Sequence, residues 1–156
     1  MVIRRPAAAR GFTLPELMAV VTIIAILGAM AAPSFSQLVA SQRSKGVASD
    51  LFTSLTRARS EAIKRNAEVT LMPATAGNWQ AGWRIPNPAN SGNVLDNHGP
   101  VPGITVNGPA NVVYLASGRL KNATAPSFQI SAAAVPQVRC VGVDLSGRPF
   151  QKMSAC

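Results

Sequence analysis

Two hydrophobic patterns follow one another in the first part of this 156-residue chain. From Leu17 to Phe35, nineteen residues carry no charge. As a helix they would run roughly 28 Å, enough for a bilayer's hydrocarbon core. After Pro33 the apolar positions narrow to one stripe of Val47, Leu51, Leu55, Ala58 and Ala62, flanked by Ala48, Phe52 and Ile63. Asp50, Thr53, Arg57, Glu61 and Lys64 fall on the opposite face. The spacing predicts one helix continuing to about Arg65, roughly 80 Å long from Thr13. Its first half is apolar all round and suited to lipid; its second half is amphipathic and suited to packing on a domain.

Beyond Asn66 the helical period stops. Short β-rich runs predict strands near Val69–Met72, Gln80–Ile85, Ile104–Val106, Asn111–Ala116, Ser127–Ser131 and Val138–Leu145. The segments PATAGN, PNPANSGN, NGPA and NATAP between them have turn composition. The stretch from Pro86 to Gly103, rich in Pro, Gly and Asn, predicts a long loop or a poorly ordered hairpin. The fold class is therefore α+β, a long N-terminal helix packed on a small antiparallel sheet or sandwich. The pattern divides the chain into a basic N-terminus, an apolar segment ending at Phe35, an amphipathic half 36–66 and a β-rich region 67–156. Trp79 and Trp83, four apart, share one strand face beside Gly82, and core packing accounts for them better than a binding role.

Charge changes this picture at both ends. Fifteen Lys and Arg against six Asp and Glu give +9, and Arg4, Arg5 and Arg10 precede the apolar run. The Arg residues would stay cytoplasmic, leaving everything beyond Phe35 outside. A basic balance suits nucleic acid or lipid headgroups, and is equally compatible with plain solubility charge. Glu16, at the edge of the apolar run, is costly there and so reads as functional. Cys140 and Cys156 form an even pair; in an exported domain they suggest a disulfide, in a cytosolic one two free thiols. A secretory signal peptide with a cleavage site at Ala29–Pro33 is the competing reading of the N-terminus. The length of the run and its continuation into a helical pattern weigh against it.

The residues around Gly11 separate these readings. R-G-F-T-L-P-E-L, from Arg10 to Leu17, resembles the prepilin leader-peptidase site of type IV pilins and type II secretion pseudopilins. The resemblance implies a leader, residues 1–11, removed by a prepilin peptidase between Gly11 and Phe12. It also implies N-methylation of Phe12, retention of the apolar helix for polymerisation, and a docking role for Glu16. In that family this carboxylate pairs with the N-terminal ammonium of a neighbouring subunit. Pro15 departs from the commoner aliphatic residue, at a helix position where a missing N–H is tolerated.

The outer region is similar to the GspH/FimT family of minor pilins and pseudopilins. The similarity rests on a strand directly after the helix, the W-x-x-G-W segment Trp79–Trp83, and the late Gly–Arg turns SGRLK and SGRPFQK. It implies a type IV pilin fold, an exported domain with Cys140 bonded to Cys156, and other pilins or pseudopilins as partners in a filament. Before assembly the protein would be a single-pass inner-membrane protein; afterwards it would belong to a pilus or a pseudopilus.

No catalytic motif is present: there is no GxSxG, P-loop or GxGxxG. His98, the only histidine, reads as a solvated loop side chain rather than a metal ligand, and Asp96 does not complete a site. No enzyme activity, metal or cofactor is expected. Arg119, Lys121, Arg139, Arg148 and Lys152, against Asp144 alone, make the C-terminal end basic and candidate for sequence-independent contact with double-stranded DNA. The resemblance adds that FimT-type minor pilins are linked to DNA capture in natural transformation through a Gly–Arg–x–Arg motif. Gly147 and Arg148 match it; Phe150 stands at the second Arg, and Lys152 follows. A ring at Phe150 could stack on a base, although a strand-core position explains it better. The leading reading is a minor pilin of a type IV pilus acting in assembly or priming; the alternative is a type II secretion pseudopilin that binds no DNA.

Overall fold

The computed structural model describes residues 12–133 and 135–156. Gly11, Arg4, Arg5 and Arg10 lie outside them. The chain divides into two compact units, residues 1–36 and 37–156. One helix, α1, spans Leu14–Arg65.

In the first unit the sequence T-L-P-E builds its own helix start. Thr13 is the N-cap, its carbonyl accepting from the Leu17 N–H at 3.1 Å. The Glu16 carboxylate reaches back to the Thr13 N–H at 3.5 Å, the reciprocal half of a capping box. Pro15 sits inside the first turn, where no intrahelical N–H bond is lost. Every side chain from Phe12 to Met30 is exposed. The stretch is long and apolar enough to cross a membrane. The Thr22 hydroxyl donates to the Met18 carbonyl at 2.8 Å, which satisfies it inside the apolar run. Pro33 is within α1, and its side chain lies outside those described.

In the second unit α1 buries Val47, Ala48, Leu51, Leu55, Ala58 and Ala62. Ile63, read as a flank of the stripe, is exposed. The helix ends in a Schellman motif: Asn66 adopts φ 50° and donates to the Ile63 carbonyl, while Ala67 donates to that of Ala62.

Eight strands follow among the described residues: β1 Val69–Thr75, β2 Asn78–Asn87, β3 Asn90–His98, β4 Ile104–Asn107, β5 Val112–Tyr114, β6 Ser127–Ala132, β7 Val135–Val143 and β8 Pro149–Lys152. They form two antiparallel four-stranded sheets, ordered β3-β2-β1-β5 and β4-β6-β7-β8. Alternate residues of the inner faces, such as Val69 and Leu71, Ile104 and Val106, Phe128 and Ile130, join the helix stripe in one core. Trp79 on β2 meets Phe128 on β6 edge to face, with centroids 4.8 Å apart, so an aromatic pair links the two sheets.

Two expectations are corrected here. The stretch from Pro86 to Gly103 contains β3, which pairs with β2 from Trp83↔His98 to Asn87↔Asn90. It is an edge strand, solvated along its first five residues, so it lacks the alternation that marks a half-buried strand. Register shifts on either side of Pro86 absorb the proline's missing N–H. The SGRPFQK segment supplies both a turn and the four-residue β8, whose opening proline reads as loop in the sequence.

Candidate functional site

Four groups of side chains could carry function. The first is the N-terminal end of α1. Phe12 is 80% exposed, and the Glu16 carboxylate lies one turn from it, bonded to the Thr13 N–H as described. A carboxylate at a helix start also complements the macrodipole. Glu16 thus has a local partner within the single chain, a role that the capping-box spacing Thr13-x-x-Glu16 signals and that the sequence reading missed.

The second group surrounds Trp83. Gly82 has φ 94°, and a Cβ there would collide with the His98 carbonyl oxygen. Only glycine lets the end of β3 come this close. Trp83, fully buried, stacks on the His98 ring at 4.0 Å and 7°. Its Nε1–H donates to the buried Ser54 Oγ at 2.9 Å. Ser54 in turn donates to Asp96 Oδ2 at 3.3 Å, and Arg57 pairs with Asp96 Oδ1 at 2.9 Å and donates to the Leu95 carbonyl at 2.7 Å. His98 donates from Nδ1 to the Gly99 carbonyl at 2.8 Å, and its Nε2 lies 3.2 Å from Asp50 Oδ2. His98 is therefore no solvated loop residue: it and Asp96 fasten the β2–β3 hairpin to α1. Trp79 is buried as well, its Nε1–H donating to the Pro109 carbonyl at 2.7 Å. The W-x-x-G-W segment is core.

The third group is formed by the two Gly–Arg turns, which touch. Gly118 and Gly147 have φ 75° and 85°, and a Cβ on Gly147 would collide with the Gly118 carbonyl oxygen. The contact brings Arg119 and Arg148, both exposed, onto adjacent turns. From α1, Arg59 Nε donates to the same Gly118 carbonyl at 3.0 Å, a third cation that the sequence reading did not include. Its position beside the buried Ala58 was the available signal. The second turn is rigid: Asp144 Oδ1 accepts from the Ser146 hydroxyl at 2.6 Å and from the Arg148 N–H at 2.9 Å. These bonds, the hydroxyl's first, hold the Asp144 carboxyl below its ordinary range. Tyr114 lies close enough to feel both Arg59 and Asp144; burial, with Asp144 adding to it, pushes its phenol well above the ordinary value.

The other three cations sit elsewhere. Lys121 is paired with Glu68 at 2.8 Å. Arg139 is half-buried on β7 with its Nε 3.4 Å from Ser44 Oγ of α1, and Lys152 is on β8 with its Nζ 5.1 Å from the Phe150 ring centroid. With Lys45, these two line a separate cleft of about 250 Å³, the fourth group. So the five C-terminal cations do not form one face. Phe150 is also not a strand-core residue: it is 37% exposed and lies across Gly142, where a Cβ would meet its ring. Cys140 on β7 and Cys156 are joined by a disulfide, Cα atoms 5.1 Å apart. Among the described residues no group of three His, Cys, Asp or Glu side chains could hold a metal ion.

Comparison with known proteins agrees with this geometry. The family model described as Type II transport protein GspH matches residues 47–147. The prokaryotic N-terminal methylation motif matches residues 6–32. Two crystal forms of the Pseudomonas aeruginosa type IV minor pilin FimU superpose with TM-scores of 0.60 and 0.61, at 19% and 21% identity. Each covers 69% of this chain, and 87% and 91% of the FimU chain respectively. No curated protein matches the sequence.

Proposed function

Because the chain belongs to the GspH family, and so to the pilin-type subunits that assemble into filaments, we propose that it is a minor pilin of a type IV pilus. The observation that carries this reading is the methylation motif set directly against the start of a 52-residue helix, in a protein with the FimU fold. A prepilin peptidase cuts between Gly11 and Phe12, and Phe12 is N-methylated. The apolar segment holds the protein in the inner membrane with residues beyond Phe35 in the periplasm, until the helix moves into the filament. The protein acts as a structural subunit and not as a catalyst.

Glu16 docks the subunit. A carboxylate in an apolar filament core needs a cation, and cleavage creates one at the N-terminus of each neighbour. Glu16→Ala tests this. The variant is expected to insert in the membrane and be cleaved normally, with Phe12 as the new N-terminus by mass spectrometry, yet to be missing from sheared pili. Normal incorporation would sink the assembly role.

DNA contact is assigned to Arg119 and Arg148 on the touching turns, with Arg59 behind them. Three cations on rigid backbone suit phosphates without reading bases. A gel shift of the full-length protein in neutral detergent over a salt series measures this. Arg119→Ala and Arg148→Ala are each expected to lower the salt slope by about one; no binding at low salt removes the DNA role.

The family description favours a second reading, a pseudopilin of type II secretion. Deleting the gene separates the two: lost pili with normal protein export supports the pilus, and the reverse supports secretion.

A further inference from the structure

We propose that the outer face of the β3-β2-β1-β5 sheet, around Arg84, docks a segment of a different filament subunit, one that sets a carboxylate beside an aliphatic side chain. Faces alternate along these strands: Val69, Leu71, Trp83 and Ile85 are buried in the core, which leaves Thr70, Met72, Arg84 and Pro86 on the outer side. The register sets Arg84 of β2 between Met72 of β1 and Asn97 of β3. The shift beside Pro86 passes over Leu95, so Val94 stands opposite the proline. Leu95 packs against the core, whereas Val94 is 50% exposed. Thr70, Met72, Arg84, Pro86 and Val94 line one hollow of about 340 Å³.

The cation in this largely apolar hollow is uncompensated. Among the described residues Arg84 makes no ion pair. Glu68, which also lines the hollow, is held by Lys121 at 2.8 Å. A planar guanidinium takes a carboxylate through two parallel hydrogen bonds. The attraction strengthens where apolar side chains, here Met72 and Val94 against an aliphatic neighbour of that carboxylate, keep water away.

Charge decides which chain supplies the acid. Residues 37–156 carry twelve Lys and Arg against five Asp and Glu, a net +7. All five acids are engaged in their own fold: Asp50 with His98, Glu61 with Arg65, Glu68 with Lys121, Asp96 with Arg57 and Asp144 within its turn. The sixth, Glu16, belongs to the start of α1. A second copy therefore brings no free carboxylate to Arg84, and its charge repels the first, whereas an acidic neighbour is attracted. That this neighbour is a filament subunit rests on the reading of the chain as one. A single cation among apolar side chains also suits a protein segment better than nucleic acid, whose binding requires several phosphates to be neutralised together.

The test uses the full-length chain in its native host, with the photoreactive residue p-benzoylphenylalanine in place of Ser91, which is exposed at the hollow. Thr105, exposed on β4 of the other sheet, takes the same residue as the control. Irradiation is expected to join position 91, and not position 105, to a segment of a different filament subunit. Mass spectrometry should find Asp or Glu next to an aliphatic residue in that segment. Arg84→Glu should lower the adduct about tenfold, and Arg84→Lys by a smaller factor. Changing the partner's acid to Arg should restore the adduct in Arg84→Glu. The proposal is overturned by no adduct, by one with a second copy or with a protein outside the filament, by a segment without a carboxylate, or by equal yield from Arg84→Glu. A gel shift in which Arg84→Glu weakens duplex binding as much as Arg148→Ala would make this face part of a nucleic-acid surface and also overturns it. None of these readouts requires the filament to be a pilus, so pili and export in the deletion strain decide the minor-pilin reading separately.

Discussion

Gly147 packs its α-carbon against the carbonyl oxygen of Gly118, and this contact sets Arg148 beside Arg119. The two glycines occupy left-handed backbone that L side chains rarely adopt, and at Gly147 any Cβ meets backbone rather than a flexible side chain. Gly147→Ala is therefore expected to destabilise the protein by roughly 1–3 kcal/mol from backbone strain, with the collision adding to that. Gly118→Ala meets the movable ends of Ile63 and Arg59 and should cost less. Chemical denaturation of both variants gives the order, and equal stability of Gly147→Ala and wild type would refute the contact.

Ser54→Ala is expected to cost more than Arg57→Gln, although the second breaks an ion pair. Ser54 is buried and is the acceptor for the Trp83 Nε1–H, so its loss leaves a buried donor unpaired, worth about 1–3 kcal/mol. The Arg57 side chain is 52% exposed, and its ion pair with Asp96 is screened by water, leaving about 1 kcal/mol or less. Denaturation midpoints of the two variants at moderate salt decide the order.

These two cases show where the sequence was readable. The stripe Val47–Ala62 could be seen because a buried helix face repeats at the helical period, and Trp79 and Trp83 because a strand face repeats at two. β3 was hidden because solvent bathes most of it, so its residues obey no burial period; besides its pairing with β2, what fastens it to α1 are Arg57, Ser54 and Asp50, some forty residues upstream. The basic end was legible as a charge excess but not as a place. Arg148 and Lys152 are four apart in sequence, yet the first belongs to the turn at Gly118 and the second to the cleft at Lys45. Only the pairing of β7 with β8 and their docking on α1 separate them.

Tyr114 is the only tyrosine, and its hydroxyl is buried with no hydrogen-bond partner among the described residues. Tyr114→Phe should therefore be neutral or stabilising by about 1 kcal/mol at pH 7. The sign of the pH dependence follows from its raised folded-state pKa. Below pH 10 the phenol is neutral in both states, and above it the unfolded chain ionises first. Wild type is thus expected to lose stability as pH rises past 10, by up to about 1.4 kcal/mol per unit, relative to Tyr114→Phe. Unfolding at pH 9, 10 and 11, with tyrosinate absorbance as the second readout, checks it. Parallel curves for the two proteins would show that the phenol titrates freely.

The Cys140–Cys156 disulfide, across a sequence separation of 16, closes a loop that contains the second Gly–Arg turn and β8. Closing a loop of that size stabilises by about 3 kcal/mol, chiefly by restricting the unfolded chain. β8 has few other ties: it is a four-residue edge strand that pairs only with β7, plus the bond from Gln151 to Ala48. Cys156→Ser should consequently act in two ways. Global stability falls by roughly 3 kcal/mol, and the chain after Phe150 frays before the rest of the domain. The turn at Gly147 is braced separately, by Asp144 and by Gly118, so it should persist. Hydrogen exchange resolves these effects: the Lys152 amide, in a hydrogen-bonded pair with Cys140, is expected to lose protection in Cys156→Ser, while the Arg148 amide, bonded to Asp144, keeps its own. Loss of both together would mean that the hairpin opens as one unit and that the disulfide holds the turn as well.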